Sequence, residues 1–462
     1  MRGLPYARQA ALATLMVTAS PAFAGDMAMS SGKDKSIVPA KTPETNPLSF
    51  FDGALVFDVQ ERIRGEYREN NYDFNSAVDA VTDDSWLLLR FRLGLAIKPV
   101  SWLKIYAQAQ DSREAYSDRA DIPNVNGAEG DDAFDLRQGY IMIGETKGFS
   151  LTAGRQILSY GDERLVGPLD WSNLGRTFDA VKARYAGDKF SVDLFASTVV
   201  VFERGAYNQS DFFNGNETHR DQVFAGVYFS TTLLDFQTTD GYAFYLHEDQ
   251  KTIGTESNFG TIGGRVKSNP KKFNGFDYDA EAAFQFGDLR SKDLLTGAVH
   301  VGGGYTFLET PWKPRIGVEY NFASGDSDPN DGDVETFQNL FPTNHKFYGY
   351  MDLFSWQNIH NPAISFKVSP VKTLTVQADG HLFWLADTSD AWYRANGTPV
   401  RPITPSAGSY VGAEIDLTAT WKPSKHYSLQ AGYSHFFAGE YVDDTGPGSD
   451  ADFGYLMATV DF

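Results

Sequence analysis

From Phe50 to Phe462 the chain repeats one pattern: runs in which apolar and polar side chains alternate, separated by gaps that are alternately short and long. Period-two alternation is the signature of a strand with two unlike faces. In Ala54–Arg68 one face carries Leu55, Phe57, Val59, Ile63 and Tyr67, and the other carries Asp58, Gln60, Arg62, Arg64, Glu66 and Arg68. In Ser85–Lys98, Leu87, Leu89, Phe91, Leu93, Leu95 and Ile97 alternate with Trp86, Leu88, Arg90 and Arg92. In Asn274–Phe286, Phe276, Tyr278, Ala280, Ala282, Phe284 and Phe286 alternate with Asp277, Asp279, Glu281 and Gln285.

The pattern predicts eighteen strands, near 50–68, 85–98, 101–115, 132–144, 148–157, 178–186, 189–203, 220–231, 240–248, 257–268, 273–288, 293–308, 312–323, 360–370, 372–386, 408–422, 425–438 and 450–462. Short gaps include 99–100, 145–147, 187–188, 270–272 and 423–424; long ones include 69–84, 116–131, 158–177, 204–219, 324–359 and 387–407. Two gaps break the rhythm, a short one at 289–292 and a longer one at 232–239. Short periplasmic turns and long extracellular loops mark an outer-membrane barrel. The expected fold is therefore all-β, a closed antiparallel transmembrane β-barrel. Tyr67, Tyr106, Tyr185, Phe286, Tyr320 and Tyr433 near strand ends suit aromatic girdles, and a last strand ending on Phe462 resembles an outer-membrane insertion signal. A soluble sandwich or propeller is the competing fold, but rarely sustains strands this long through a whole chain.

Residues 1–24 carry the marks of a cleavable signal peptide: Arg2 and Arg8, the apolar run Ala10–Ala19, and Ala22-Phe23-Ala24 before Gly25. Residues 25–49 are rich in Ser, Lys and Pro and predict a flexible periplasmic leader; 50–462 is the barrel. Localisation follows as the Gram-negative outer membrane, among its lipids and lipopolysaccharide. There is no cysteine, which excludes thiolate metal sites, cysteine nucleophiles and a lipoprotein anchor. Loss of the signal moves the formal charge from −20 to −22, which argues against nucleic acid as a partner. With 42% hydrophobic and 14% aromatic residues the chain is not disordered.

If apolar faces meet lipid, the polar faces line the lumen. Arg62, Arg64, Arg68, Arg90, Arg92, Arg137, Lys182 and Arg184 fall in the first six strands. Asp277, Asp279, Glu281, Glu319, Asp379, Glu414 and Asp416 form an acidic wall in strands eleven to sixteen. One consequence is a transverse field across a constriction, with arginine forks binding planar anions in transit. The other is mutual neutralisation, the arginines pairing with Asp58, Glu66, Asp135 and the acidic arc to fill a polar interior.

The segment 154–179, GRQILSYGDERLVGPLDWSNLGRTFD, is too rich in glycine, charge and Trp171 to be a passive connector. Folded inward it would constrict the pore. Its motif GRQ-x3-YGD-x-RLVGP-x-DW-x-N-x-GR-x-FD resembles the central signature of the alginate-export family of outer-membrane barrels, and SGDSDPNDGDVETFQNLFPTNHKFYGYMD (324–352) and FWLADTSDAWY (383–393) resemble it too. The resemblance implies a monomeric channel whose arginine-rich lumen passes an anionic poly- or oligosaccharide. It implies anion contact for Arg62, Arg64, Arg90, Arg92, Arg137, Arg155 and Arg176, and lumen phase adds Arg184. The alternatives are a porin for small nutrients and a surface adhesin barrel.

Asp326, Asp328 and Asn330 have the one-three-five spacing of a calcium loop, with Gly332 one place late for an EF-hand. An extracellular Ca²⁺ is the one cofactor this suggests, against a solvated acidic loop tip. Eight histidines show no zinc spacing, and there is no G-x-S-x-G elbow, so no enzyme is expected.

Overall fold

The computed structural model describes residues 47–77, 83–117, 131–203, 207–210, 221–250 and 254–462. The expected signal peptide and nearly all of the leader lie outside the described residues, as do parts of three long loops.

Eighteen strands form the wall: β1 Leu55–Glu69, β2 Asp84–Val100, β3 Leu103–Ala115, β4 Asp132–Gly144, β5 Gly148–Gln156, β6 Phe178–Ala186, β7 Phe190–Val199, β8 Asp221–Thr231, β9 Gln237–Gln250, β10 Thr255–Ser268, β11 Phe276–Leu289, β12 Lys292–Thr306, β13 Arg315–Ala323, β14 Ile359–Val371, β15 Leu374–Trp384, β16 Tyr410–Trp421, β17 Tyr427–Ala438 and β18 Ala451–Asp461. Each pairs antiparallel with the next, and β18 closes on β1 from Gln60↔Asp461 to Glu69↔Asp452. In hydrocarbon no water is available to an unpaired amide, so a strand wall is tolerated only when it has no edge.

The wall is inside out relative to a soluble protein. Outward side chains such as Ile63, Ile141, Leu194, Ile262, Val318, Ile364, Leu417 and Leu456 are exposed, whereas Arg64, Arg90, Asp193, Glu281, His300, Asn321, Glu414 and Asp416 are buried inside. Tyr67, Tyr185, Phe286, Tyr320 and Tyr433 stand outward as expected of girdle residues. Tyr106 does not: it is buried, its hydroxyl donating to Asp58 at 3.0 Å. The inward phase of β3 is fixed by Lys104, Tyr106 and Gln108, and Tyr106 shares it.

Boundaries differ where local chemistry stops a strand. Asn269 accepts from Lys271 N and Pro270 opens a 3-10 turn, so β11 starts at Phe276 rather than at 273. The short outer gap between β11 and β12 is a two-residue turn in which Arg290 and Ser291 both have positive φ, as a tight hairpin requires. The outer loop after β13 returns over this low rim, laying Asp333–Val334 parallel to Asp293–Leu294.

The lumen is filled where the loops enter it. Phe337, Phe341, Tyr348, Met351, Leu353, Phe354 and Trp356, from the 324–358 loop, pack with inward aromatics of the wall and form the core. A charge on the outward face should be costly in proportion to its depth. Ile262, midway along β10, is 48% exposed there. Ile262→Lys should destabilise the barrel folded in lipid vesicles by about 2–4 kcal/mol, read by urea titration, with Ile262→Leu near neutral. An equal effect for both would show that this face does not meet lipid.

Candidate functional site

The 157–177 loop turns inward, and its first half is held by aromatic packing. Leu158, Tyr160, Leu165 and Val166 are buried, and the Tyr160 ring stacks on Tyr228 at 4.6 Å and on Phe195 at 5.5 Å. Here it meets the second inserted loop backbone to backbone. Phe341 N donates to Leu165 O, and Gly167 N to Phe341 O, both at 2.8 Å; Thr343 N donates to Glu163 O at 2.9 Å. A Cβ on Gly167 would come within 2.4 Å of Thr343 Oγ1, so the close approach requires glycine. The two loops make one plug across the lumen.

The second half of the loop is held differently. Arginines of β1, β2 and β4 and polar groups of β3 donate to five consecutive carbonyls, from Asp170 to Leu174. Arg62 reaches Asp170 O at 2.7 Å and Ser172 O at 3.1 Å. Arg64 reaches Trp171 O at 2.5 Å. Arg90 reaches Asp170 O at 2.9 Å and Ser172 O at 3.0 Å. Ser112 donates to Asn173 O at 2.9 Å, Gln110 to Leu174 O at 2.8 Å, and Arg137 to Leu174 O at 3.1 Å. Trp171 lies between the Arg64 guanidinium, 3.9 Å from its ring, and the His345 ring, stacked at 3.7 Å. Hydrogen bonds to charged groups are worth about 1.5–3 kcal/mol each net, so the set outweighs the cost of ordering so short a stretch.

The Asp170 carboxylate is the focus of the charge. Arg92 lies 2.7 Å from Oδ1, Arg90 3.4 Å from Oδ2 and Arg137 3.7 Å from Oδ1. These arginine side chains are 7% exposed or less, whereas that of Asp170 is 50% exposed. Enclosure alone would raise its pKa, but Arg90, Arg92 and Arg137 prevail and hold it well below the usual carboxylate range.

The structure thus gathers Arg62, Arg64, Arg90, Arg92 and Arg137 into one cluster, occupied by the protein's own loop. The other three expected arginines stand apart. Arg155 pairs with Asp179 at 3.0 Å. Arg176 donates to Pro342 O at 2.8 Å and ties the two loops together; burial pushes its pKa down to about 10. Arg184 pairs with Asp193 at 2.6 Å and is 42% exposed.

Of the acids expected to neutralise the arginines, Glu66 does so, 2.6 Å from Arg64 and 3.6 Å from Arg68. Asp58 instead accepts from Tyr106 and Gln108, and Asp135 from Asn208 N. The acidic wall finds local partners. Asp277 is held bidentately by Arg315 at 2.6 and 2.8 Å, Asp279 by His300 at 3.0 Å, and Glu281 by the Tyr242 hydroxyl at 2.9 Å. Glu319 accepts from Asn321 at 3.1 Å and Asp379 from Gln377 at 2.8 Å. Glu414 accepts from Met351 N at 2.9 Å, and Asp416 from the Ser434 hydroxyl. Arg265 and Arg315, missed at the sequence level, sit on this wall and break it into pairs. Asp326 and Asp328 accept from Asp328 N and Asn330 N in successive turns of their own backbone. Among the described residues no three His, Cys, Asp or Glu groups stand together as a metal site.

Because the folded pKa of Asp170 is depressed, its contribution is fully present above the ordinary Asp value of about 3.9 and is lost as pH falls through the lower folded value. Resting single-channel conductance should therefore be the same at pH 7.5 and pH 5, rising only in stronger acid. A rise already complete at pH 5 would remove Asp170 from this role.

The fold has close counterparts among solved channels. The barrel is similar to Pseudomonas aeruginosa OccK8 (OprE), with a TM-score of 0.59 at 13% identity over 88% of this chain and 98% of that one. OccK3 (OpdO) of the same organism gives 0.59 at 11% over 88% and 95%, and Acinetobacter baumannii OccAB4 gives 0.57 at 10% over 88% and 98%. No curated protein matches the sequence. The alginate export family model matches residues 54–455. This eighteen-stranded outer-membrane channel therefore belongs, by that match, to the alginate export family.

Proposed function

We propose that this outer-membrane channel passes an acidic oligo- or polysaccharide, and that the carboxylates of the solute contact Arg62, Arg64, Arg90, Arg92 and Arg137 in transit. One observation carries the reading: five buried arginines converge on residues 170–174, a stretch whose one acidic side chain is Asp170, with Glu66 of the wall beside Arg64. Burying guanidinium groups is expensive unless acceptors meet them. A wall built only to fill space would be expected to pair them one to one, as the acidic side does with Arg315 and Asp277. A surplus of planar, bidentate donors suits a succession of carboxylates moving past. Arg184, at the more open β6–β7 wall, would offer a further contact below the cluster.

A small carboxylate is the second reading, favoured by the plug itself, which leaves little free lumen at the arginines. Pseudomonas aeruginosa OpdK, similar in fold at a TM-score of 0.58 and 10% identity, was solved with vanillate. Family and fold are of the channel type, and the proposal gives the protein no catalytic step.

Planar-bilayer recordings separate these readings. Trigalacturonate should block the current at concentrations at least tenfold lower than neutral maltotriose. Block by vanillate with none by trigalacturonate would favour the small-carboxylate reading. Replacing Arg62, Arg90 and Arg137 together with Ala should move the reversal potential in a salt gradient toward cation selectivity; an unchanged potential would sink the proposal.

A further inference from the structure

We infer that residues 168–175 form a releasable strap, and that a solute carboxylate opens it by taking the place of the Asp170 carboxylate among Arg90, Arg92 and Arg137. The inference rests on the anion pathway proposed above and adds the moving part.

Four observations support it. First, the two halves of the loop are held by different chemistry. Residues 158–166 are fixed by buried apolar contacts and by the backbone bridge to Phe341, which a charged solute does not compete for, and their acids Asp162 and Glu163 are paired in addition with Arg265, Lys267 and Lys346. Residues 170–174 are fixed by arginine, glutamine and serine donors, which an incoming anion does compete for. In the strap, Leu174 is the one fully buried aliphatic side chain.

Second, the change of regime is bounded by backbone suited to pivoting. Gly167 precedes the strap, which opens on Pro168 with Leu169 at φ 50, and Gly175 ends it at φ 74. A Cβ on Gly175 would approach Arg137 Nη1 to 2.4 Å, so this end is seated against the cluster itself.

Third, the arginines keep donors in hand. Arg92 Nη2 and Arg137 Nε are buried without a hydrogen-bond acceptor. Buried unpaired donors are costly, and a second carboxylate would satisfy them.

Fourth, Asp170 is placed for exchange. Its side chain is half exposed while its partners are covered, so an arriving carboxylate meets Asp170 first and the arginines behind it. Replacing one carboxylate by another conserves charge at the cluster, and further carboxylates and hydroxyls of the solute take over the donors that had held the five carbonyls. The strap leaves without stranding a buried cation, and it returns when the solute has passed. The channel is thus held shut by its own imitation of the cargo.

The absence of cysteine from the chain makes a lock straightforward. Ser112 Oγ lies 2.9 Å from Asn173 O, so S112C/N173C would tie the strap to β3. Disulfide formation is verified by mass, and release of trigalacturonate from proteoliposomes is measured. The oxidised protein should pass trigalacturonate at least tenfold more slowly than wild type, with recovery on reduction. An oxidised protein as fast as wild type would overturn the strap. Independently of any cross-link, Asp170→Asn should raise resting conductance several-fold in the absence of solute. No rise would overturn the latch assigned to Asp170. Wild-type protein that releases trigalacturonate no faster than maltotriose would defeat the anion pathway instead, while the resting conductance of Asp170→Asn would still report on the strap.

Discussion

Within hydrocarbon a peptide amide has no partner but another peptide group, and that constraint shapes everything else in this molecule. Closure of β18 on β1 removes the last edge, and period-two geometry then sends one set of side chains to lipid and the other to the lumen. The inward set includes arginines, acids and amides that are buried by the wall's own curvature. They need acceptors and donors that the wall alone does not supply. The inserted loops supply them, so the plug is as much a consequence of closure as the wall is.

The plug is therefore a composite. Where β6–β9 present Phe195, Phe224, Tyr228, Tyr242 and Phe244 inward, a loop arrives with Leu158, Tyr160 and Leu165. Where β1–β4 present arginines, the same loop arrives with bare carbonyls and one carboxylate. Apolar burial is indifferent to charge, whereas an arginine–carbonyl contact is exchangeable for any better acceptor. One loop can thus be permanent at one end and replaceable at the other.

Much of this was legible in the sequence. The strand count, the inward phase of Arg62, Arg64, Arg90 and Arg92, and the importance of 154–179 all follow from alternation and from an unusual loop composition. Tyr106 was misread because an aromatic near a strand end looks like a girdle residue until the whole strand's phase is fixed. What alternation does not encode is which distant groups meet. Asp170 is one of five aspartates between 162 and 193, and only the inward fold of the loop brings it to arginines 33 to 80 positions away. The stack of Trp171 on His345 joins two loops that no local pattern connects. Arg265 shares its strand with Lys267 and one acid, Glu256, and Arg315 shares its strand with Glu319, so a tally by halves of the chain passes over them.

Interleaving changes the electrostatic picture from two opposed walls to a local imbalance. On the β9–β13 wall, Arg265 lies 2.7 Å from Asp240 and 2.8 Å from Asp162, and Arg315 grips Asp277, so fields cancel over short distances. At the arginine cluster they do not. The chain's net negative charge does not offset this, because many of its acids lie in the extracellular loops, among them Asp326, Asp328, Asp331, Asp333, Asp443 and Asp444. Charges on solvated loops are screened beyond about 8 Å at physiological ionic strength, whereas buried groups are screened far less. On the proposed reading, an anion in the lumen responds chiefly to the five arginines and to the Asp170 carboxylate already seated among three of them.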